Sequence, residues 1–170
     1  DVLDLDNARS QIPDFMKDPQ WKDQIVKGTR VGTYYMSINS TLPPFDKPQV
    51  RQALQIAIDR QTLIDKLYAG TGVPAKGILS PGLAGYNPDL PGFKYDPEKA
   101  KALLKEAGFA DGISMTIFQT VDSSSTLKIN EAIQAMLLKS NIKAEIKQLD
   151  SAAYSATRKE GKLGNYVSDW

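Results

Sequence analysis

The switching of hydrophobic period between residues 96 and 170 constrains this chain more than any other feature of its sequence. Asp96-Pro97 places an N-cap residue before a proline at the first helical position, where a missing N–H costs nothing. The helix it opens carries Ala100, Leu103, Leu104 and Ala107 on one face and is stopped by Gly108. Residues 113–119 (ISMTIFQ) read as a strand, and residues 126–140 as a helix facing inward with Ile129, Ala132, Ile133, Met136 and Leu137. Across 142–149, Ile142, Ala144 and Ile146 alternate with Lys143, Glu145 and Lys147, the pattern of a half-exposed strand. A helix over 151–160 and a strand over 165–170 complete a β-α-β-α-β order. That order predicts an α/β layer: a mixed sheet, at least partly parallel, flanked by helices.

The first half is less regular. Residues 7–18 read as a short helix entered or interrupted at Pro13, and 31–39 (VGTYYMSIN) as a strand. Tyr34 and Tyr35 alternate across that strand, so one is expected in the core and the other on a surface open to stacking. Pro43-Pro44 forbids helix and stiffens the connection. From Pro48, Val50, Ala53, Leu54, Ala57 and Ile58 form one apolar helical face. Asp59 caps a following helix that ends near Gly70 and Gly72. Residues 73–95, with four prolines and four glycines, predict a long ordered loop or an arm lying across a surface.

Composition narrows the function. With 170 residues, the chain suits one domain and at most two small ones. Hydrophobic residues at 41% and charged residues at 24% describe a folded, water-soluble chain. A net charge of +1 gives no reason to expect nucleic acid or an acidic membrane as partner. No apolar run approaches the roughly 18 to 20 residues of a membrane span. With no Cys and no His, the chain has no disulfide, no thiolate nucleophile, no Ser-His catalysis and no His- or Cys-based metal site. The Asp1, Asp4, Asp6 trio lacks the glycine and distal glutamate of a calcium loop, so no metal or other cofactor is expected. The start at Asp1 and the close on a strand predict a piece of a longer protein.

Two motifs carry candidate chemistry. Ser125-Thr126-Leu127-Lys128 matches the S-x-x-K spacing of Ser-Lys acyltransferases, but its companion motifs are missing, and a plain helix N-terminus is the preferred reading. No catalytic residue is therefore assigned. The segment Gln119-Thr120-Val121-Asp122-Ser123-Ser124-Ser125 joins a strand's C-terminal end to a helix N-terminus, where α/β folds bind ligands. Its hydroxyls, amide and carboxylate can hydrogen-bond a small polar ligand; a Ser-rich capping loop is the competing reading, and the residues alone leave both open. Trp170 offers a flat apolar wall beside such a site, or a core position on the last strand.

Several stretches resemble the family 5 extracellular solute-binding proteins of peptide-type ABC importers. They are Asn39, Pro43-Pro44-Phe45, Val50-Arg51-Gln52-Ala53 and Ala57-Ile58-Asp59-Arg60; then Gly70-x-Gly72-x-Pro74-Ala75; then Tyr95-Asp96-Pro97-Glu98-Lys99-Ala100 through Gly108; then Ile133-Gln134, Ile142 to Ile146 and Trp170. They follow the family's order over about 30–170. The resemblance implies one lobe, the second, of a two-lobe fold of the type II periplasmic-binding-protein kind. Residues 1–30 would lead in near the hinge, and 31–170 would form the lobe's core. It implies capture of a short peptide without chemistry, between this lobe and a partner lobe, followed by presentation to a membrane permease. The setting would be extracytoplasmic, in the periplasm or lipid-anchored on the outer face of a bacterial membrane, and the protein would act as a monomer. Thr120, Asp122, Ser123, Ser124 and Ser125 would line the ligand, with Trp170 at the pocket mouth, while Arg51 and Arg60 would serve helix structure and surface contacts and not the ligand. Some dipeptide binders carry an Arg in this loop; here there is none. A nickel chelate, an opine or an oligosaccharide is the alternative solute. A Ser-Lys hydrolase and a docking module built on 73–95 are the readings from other classes.

Overall fold

The computed structural model describes residues 11–26, 28, 31–68 and 70–169. Its elements, in chain order, are α1 (Ile12–Lys17), β1 (Tyr34–Ile38), α2 (Pro48–Ile56), α3 (Arg60–Leu67), α4 (Pro97–Glu106), β2 (Ile113–Thr120), α5 (Ser124–Leu138), β3 (Ile142–Leu149), α6 (Ser151–Lys159) and β4 (Asn165–Asp169). The four strands form one sheet in the order β1-β4-β2-β3. β2 lies parallel to β3 from Ile113↔Ile142 to Thr120↔Leu149, and parallel to β4 at Ile117↔Asn165 and Phe118↔Tyr166. β1 runs antiparallel to β4, which places Tyr34 opposite Asp169. The mixed α/β sheet is the one the period switch predicts.

One face of the sheet carries the core. Met115 and Ile117 of β2 and Ile142 of β3 are buried against Ile133 and Leu137 of α5. Beyond them, α2 packs on α4, and Val50, Ala53, Leu54, Ala100 and Leu104 are all at most 2% exposed. On the other face, α6 sets the Tyr154 ring edge-on to Tyr166, whose register neighbour is Phe118. Right-handed crossovers demand this split, because the chain steps from β2 outward to β3 and then back across β2 to β4.

Local chemistry fixes the element ends. Asp59 accepts from the Thr62 amide and Asp96 from the Lys99 amide, so both expected N-caps are present. Gly112, with φ near +90°, turns the chain into β2 where any Cβ would collide with the Asn141 carbonyl. Residues 73–95 hold no helix or strand. They are tied down by Lys76 Nζ on the Pro88 carbonyl at 2.8 Å and by Arg60, which donates to Phe93 at 2.9 Å and to Gln55 at 2.6 Å. Arg51 likewise donates to the carbonyls of Phe45 and Asp46. Both arginines hold backbone together, in keeping with the structural role expected of them.

Helix α1 over Ile12–Lys17 falls inside the 7–18 expected of the first helix; residues 7–10 and the Asp1, Asp4, Asp6 trio lie outside the described residues. Three details differ from expectation. Ile129, Ala132 and Met136 are half-buried, while the polar Asn130 is fully buried beside Ile133 and Leu137. Helix α5 starts at Ser124 rather than 126, and β2 runs to Thr120, so the connection shrinks to Val121-Asp122-Ser123. Neither Tyr34 nor Tyr35 enters the core, because both sit at the start of β1. Tyr34 remains 44% exposed and packs its ring 5.4 Å from that of Tyr68.

Candidate functional site

The parallel strands β2, β3 and β4 end on the same edge of the sheet, and the antiparallel β1 begins there. Four stretches distant in sequence therefore meet: Tyr34, residues 120–125, Leu149 to Ser151, and Asp169. Between β2 and β3 the connections leave for opposite faces, α5 to one and α6 to the other. Such a switch point leaves a crevice between strand ends, where open α/β sheets take ligands.

The 121–123 turn is held from both sides. Val121 N–H donates to the Leu149 carbonyl at 3.0 Å, extending the ladder by one residue beyond Thr120. Across the crevice, the Ser151 hydroxyl reaches Asp122 Oδ2 at 3.4 Å. Asp122 is exposed, and it is the single charged residue between 119 and 127. Ser123 is the N-cap residue of α5, yet its hydroxyl pairs with the Thr126 hydroxyl at 2.6 Å and no side chain caps the helix. The first-turn amides are therefore left without a side-chain acceptor, at the positive end of a 15-residue helix. Beneath the turn, Asn130 Nδ2 donates to Gln119 Oε1 at 2.7 Å, with both side chains buried.

The structure thus brings together five of the six residues singled out in the sequence. Thr120 is the half-buried last residue of β2, Asp122 lies in the turn, Ser123 occupies the N-cap position of α5 without capping it, and Ser124 and Ser125 are exposed in its first turn. Trp170 lies outside the described residues. Ser125 and Lys128 are both exposed in the first turns of α5, and no hydrogen bond joins them. Among the described residues no group of three acidic side chains is placed to hold a metal ion. No described helix is long and apolar enough to cross a membrane.

Sequence reasoning missed the α6 side of the crevice, Asp150 and Ser151, and the buried Gln119–Asn130 pair. Asp150 had a local signal, an N-cap type directly after a strand. A hollow of about 300 Å³ lies elsewhere, at the opposite end of β2 and β3 among Ser114, Thr116, Lys143 and Glu145, and includes none of residues 119–126.

Comparison with known proteins gives consistent results. Residues 3–170 match the family model described as bacterial extracellular solute-binding proteins, family 5 Middle. The chain is 40% identical over 139 residues to the glutathione-binding protein GsiB of Salmonella choleraesuis (strain SC-B67), covering 82% of this chain and 27% of that protein. It is 37% identical over 147 residues to the dipeptide-binding protein of Escherichia coli (strain K12), covering 84% of this chain and 27% of the relative. The chain thus spans about a quarter of the length of the curated relatives it matches. Among solved structures, the periplasmic binding protein DppA of Helicobacter pylori, in complex with the peptide STSA, superposes with a TM-score of 0.84 at 30% identity, over 95% of this chain and 31% of that one.

Proposed function

This chain belongs to the family 5 bacterial extracellular solute-binding proteins, a family of binding proteins and not of enzymes, and from that premise we propose that it forms one side of a solute cleft that captures short peptides for an ABC importer. The observation that carries the reading is the C-terminal edge: an exposed carboxylate and an open helix N-terminus on the two sides of one switch-point turn. A peptide presents an ammonium, N–H donors and carbonyl acceptors along one backbone. Asp122 suits a cationic or N–H group, and the α5 amides suit a carbonyl or carboxylate oxygen. Burying such a solute requires a partner for each of its charges and N–H groups. Those partners come from two sides, so this lobe supplies part of them and a second lobe closes over the rest. The relatives named for glutathione and for dipeptides support the peptide class. Thr120, Ser123, Ser124 and Ser125 add hydroxyls that can reach the solute directly or through water. The closed, loaded protein is the form a permease would receive, outside the cytoplasm.

Native mass spectrometry of the full-length protein, purified gently and with its released ligand identified, tests this. A mixture of short peptides is the expected result. A single opine, sugar or metal chelate would keep the architecture and replace the solute, and a protein that ignores peptide mixtures would remove the proposal.

A further inference from the structure

The buried amide pair Gln119–Asn130 does something that its surroundings do not require. Asn130 lies on the inner face of α5 between Ile129, Ile133 and Leu137, where an aliphatic side chain would continue the apolar stripe. It is 0% exposed, Gln119 is 3% exposed, and the Asn130 Oδ1 atom has no hydrogen-bond partner among the described residues. Asparagine is also a weak helix former, because its amide competes for backbone hydrogen bonds. In packing terms alone, two apolar residues would serve as well or better.

What a hydrogen-bonded pair adds over an apolar one is direction, since its bond has a preferred length and angle while apolar contact has neither. Its place in the chain says what is being directed. β2 pairs with β4 only at Ile117 and Phe118, so its last two residues have a ladder neighbour on the β3 side alone. Gln119 is the first of those two. Its Oε1 accepts from Asn130 at 2.7 Å, and its Nε2 lies 3.5 Å from the Thr120 carbonyl oxygen. The Ser123 amide approaches that same carbonyl at 3.5 Å, closing the turn. The bond from 119 to 130 therefore closes the base of a loop containing Thr120, Asp122, Ser123, Ser124 and Ser125.

We propose that Gln119 and Asn130 are positioning residues: their hydrogen bond locks the end of β2 to the second turn of α5 and so holds the Asp122 carboxylate and the α5 amides in one orientation toward the solute. This rests on the reading that the 120–125 segment faces the solute. The pair touches no solute itself and acts through the turn above it.

The test uses the full-length protein with both partners replaced together, Gln119→Met with Asn130→Leu, so that no buried polar group is left alone and the fold is kept. Amide hydrogen exchange is followed at Val121, Ser123 and Leu127, with Ala100 of α4 and Ala107 at its C-cap as controls for global opening. Peptide affinity is measured by calorimetry alongside. The expected result is exchange about tenfold faster at the three turn amides, unchanged exchange at the controls, and affinity weaker by about five- to tenfold. Unchanged turn exchange in the folded double variant overturns the proposal. Faster turn exchange with undiminished affinity also overturns it, since the turn would then be held for a reason other than the solute. Should the wild-type protein bind no peptide at all, the peptide reading fails on its own, and the exchange arm still decides whether the pair fixes the turn.

Discussion

Two helix N-termini stand side by side at the C-terminal edge of the sheet and are finished in different ways. α6 is closed: the Asp150 carboxylate accepts from the Ala153 amide at 2.8 Å. α5 is open: Ser123 turns its hydroxyl to Thr126, and no side chain caps the helix. Elsewhere α3 and α4 follow the closed pattern, through Asp59 on Thr62 and Asp96 on Lys99. A closed end satisfies donors that folding would otherwise leave bare, so its effect is on stability. An open end beside a carboxylate leaves donors and a positive dipole end available to an arriving molecule, so its effect is on binding.

The largest effect should come from the carboxylate beside the open end. Asp122→Ala removes an exposed side chain that accepts a long, 3.4 Å hydrogen bond from Ser151, so thermal stability should hardly move. Peptide affinity should fall by about 10- to 100-fold, the size of a lost hydrogen bond to a charged group. Calorimetry on the full-length protein checks this, and an affinity within twofold of wild type would remove Asp122 from the site. Next in size is closing the open end. Ser123→Asp should bring a carboxylate to the first-turn amides, stabilising the fold by about 0.5–1 kcal/mol while weakening peptide binding by about fivefold. Opposite signs in the two measurements are the signature sought; a variant that gains both stability and affinity would break the comparison.

The complementary change opens the closed end. Asp150→Ala should cost about 1 kcal/mol, a fall in Tm of roughly 2–4 °C for a domain this size, with peptide affinity nearly unchanged. A loss of affinity as large as that of Asp122→Ala would mean that α6, not α5, presents the binding end.

How much of this was legible depended on whether the cause was local. Asp96-Pro97 and Asp59 announce their helices because a cap acts over three residues, and the 142–149 alternation announces a half-exposed strand because burial there follows the pleat. The start of α5 was misplaced by two residues because Ser123, Ser124 and Ser125 are equally suited to capping; only the path of β2 decides among them. Asn130 gave no signal, since a polar residue on an apolar face is explained only by Gln119 across from it. The meeting of Asp122 with Ser151, and of Tyr34 with Asp169, follows from the order β1-β4-β2-β3, which hydrophobic period does not encode.

The smallest predicted effect tests whether charge itself closes an end. Asp59 accepts from the Thr62 amide at 3.1 Å and from its hydroxyl at 2.8 Å, and these bonds, the backbone one foremost, hold its pKa below the usual 3.8. The folded state therefore favours the carboxylate more than the unfolded state does. Its stabilisation is fully present above the unfolded pKa, near 4, and is lost as pH falls through the lowered folded value. Asp59→Asn keeps a cap oxygen without the titration, so near pH 6 it should be less stable than wild type by about a few tenths of a kcal/mol. Denaturant unfolding repeated down to about pH 2.5 should show that gap shrinking, because protonation leaves Asp59 a neutral cap much like asparagine. A gap that stays constant over that range would mean that the cap works through geometry alone. The difference between a closed and an open end would then be one of hydrogen-bond acceptors and not of charge, and Ser123→Asn should weaken peptide binding as much as Ser123→Asp.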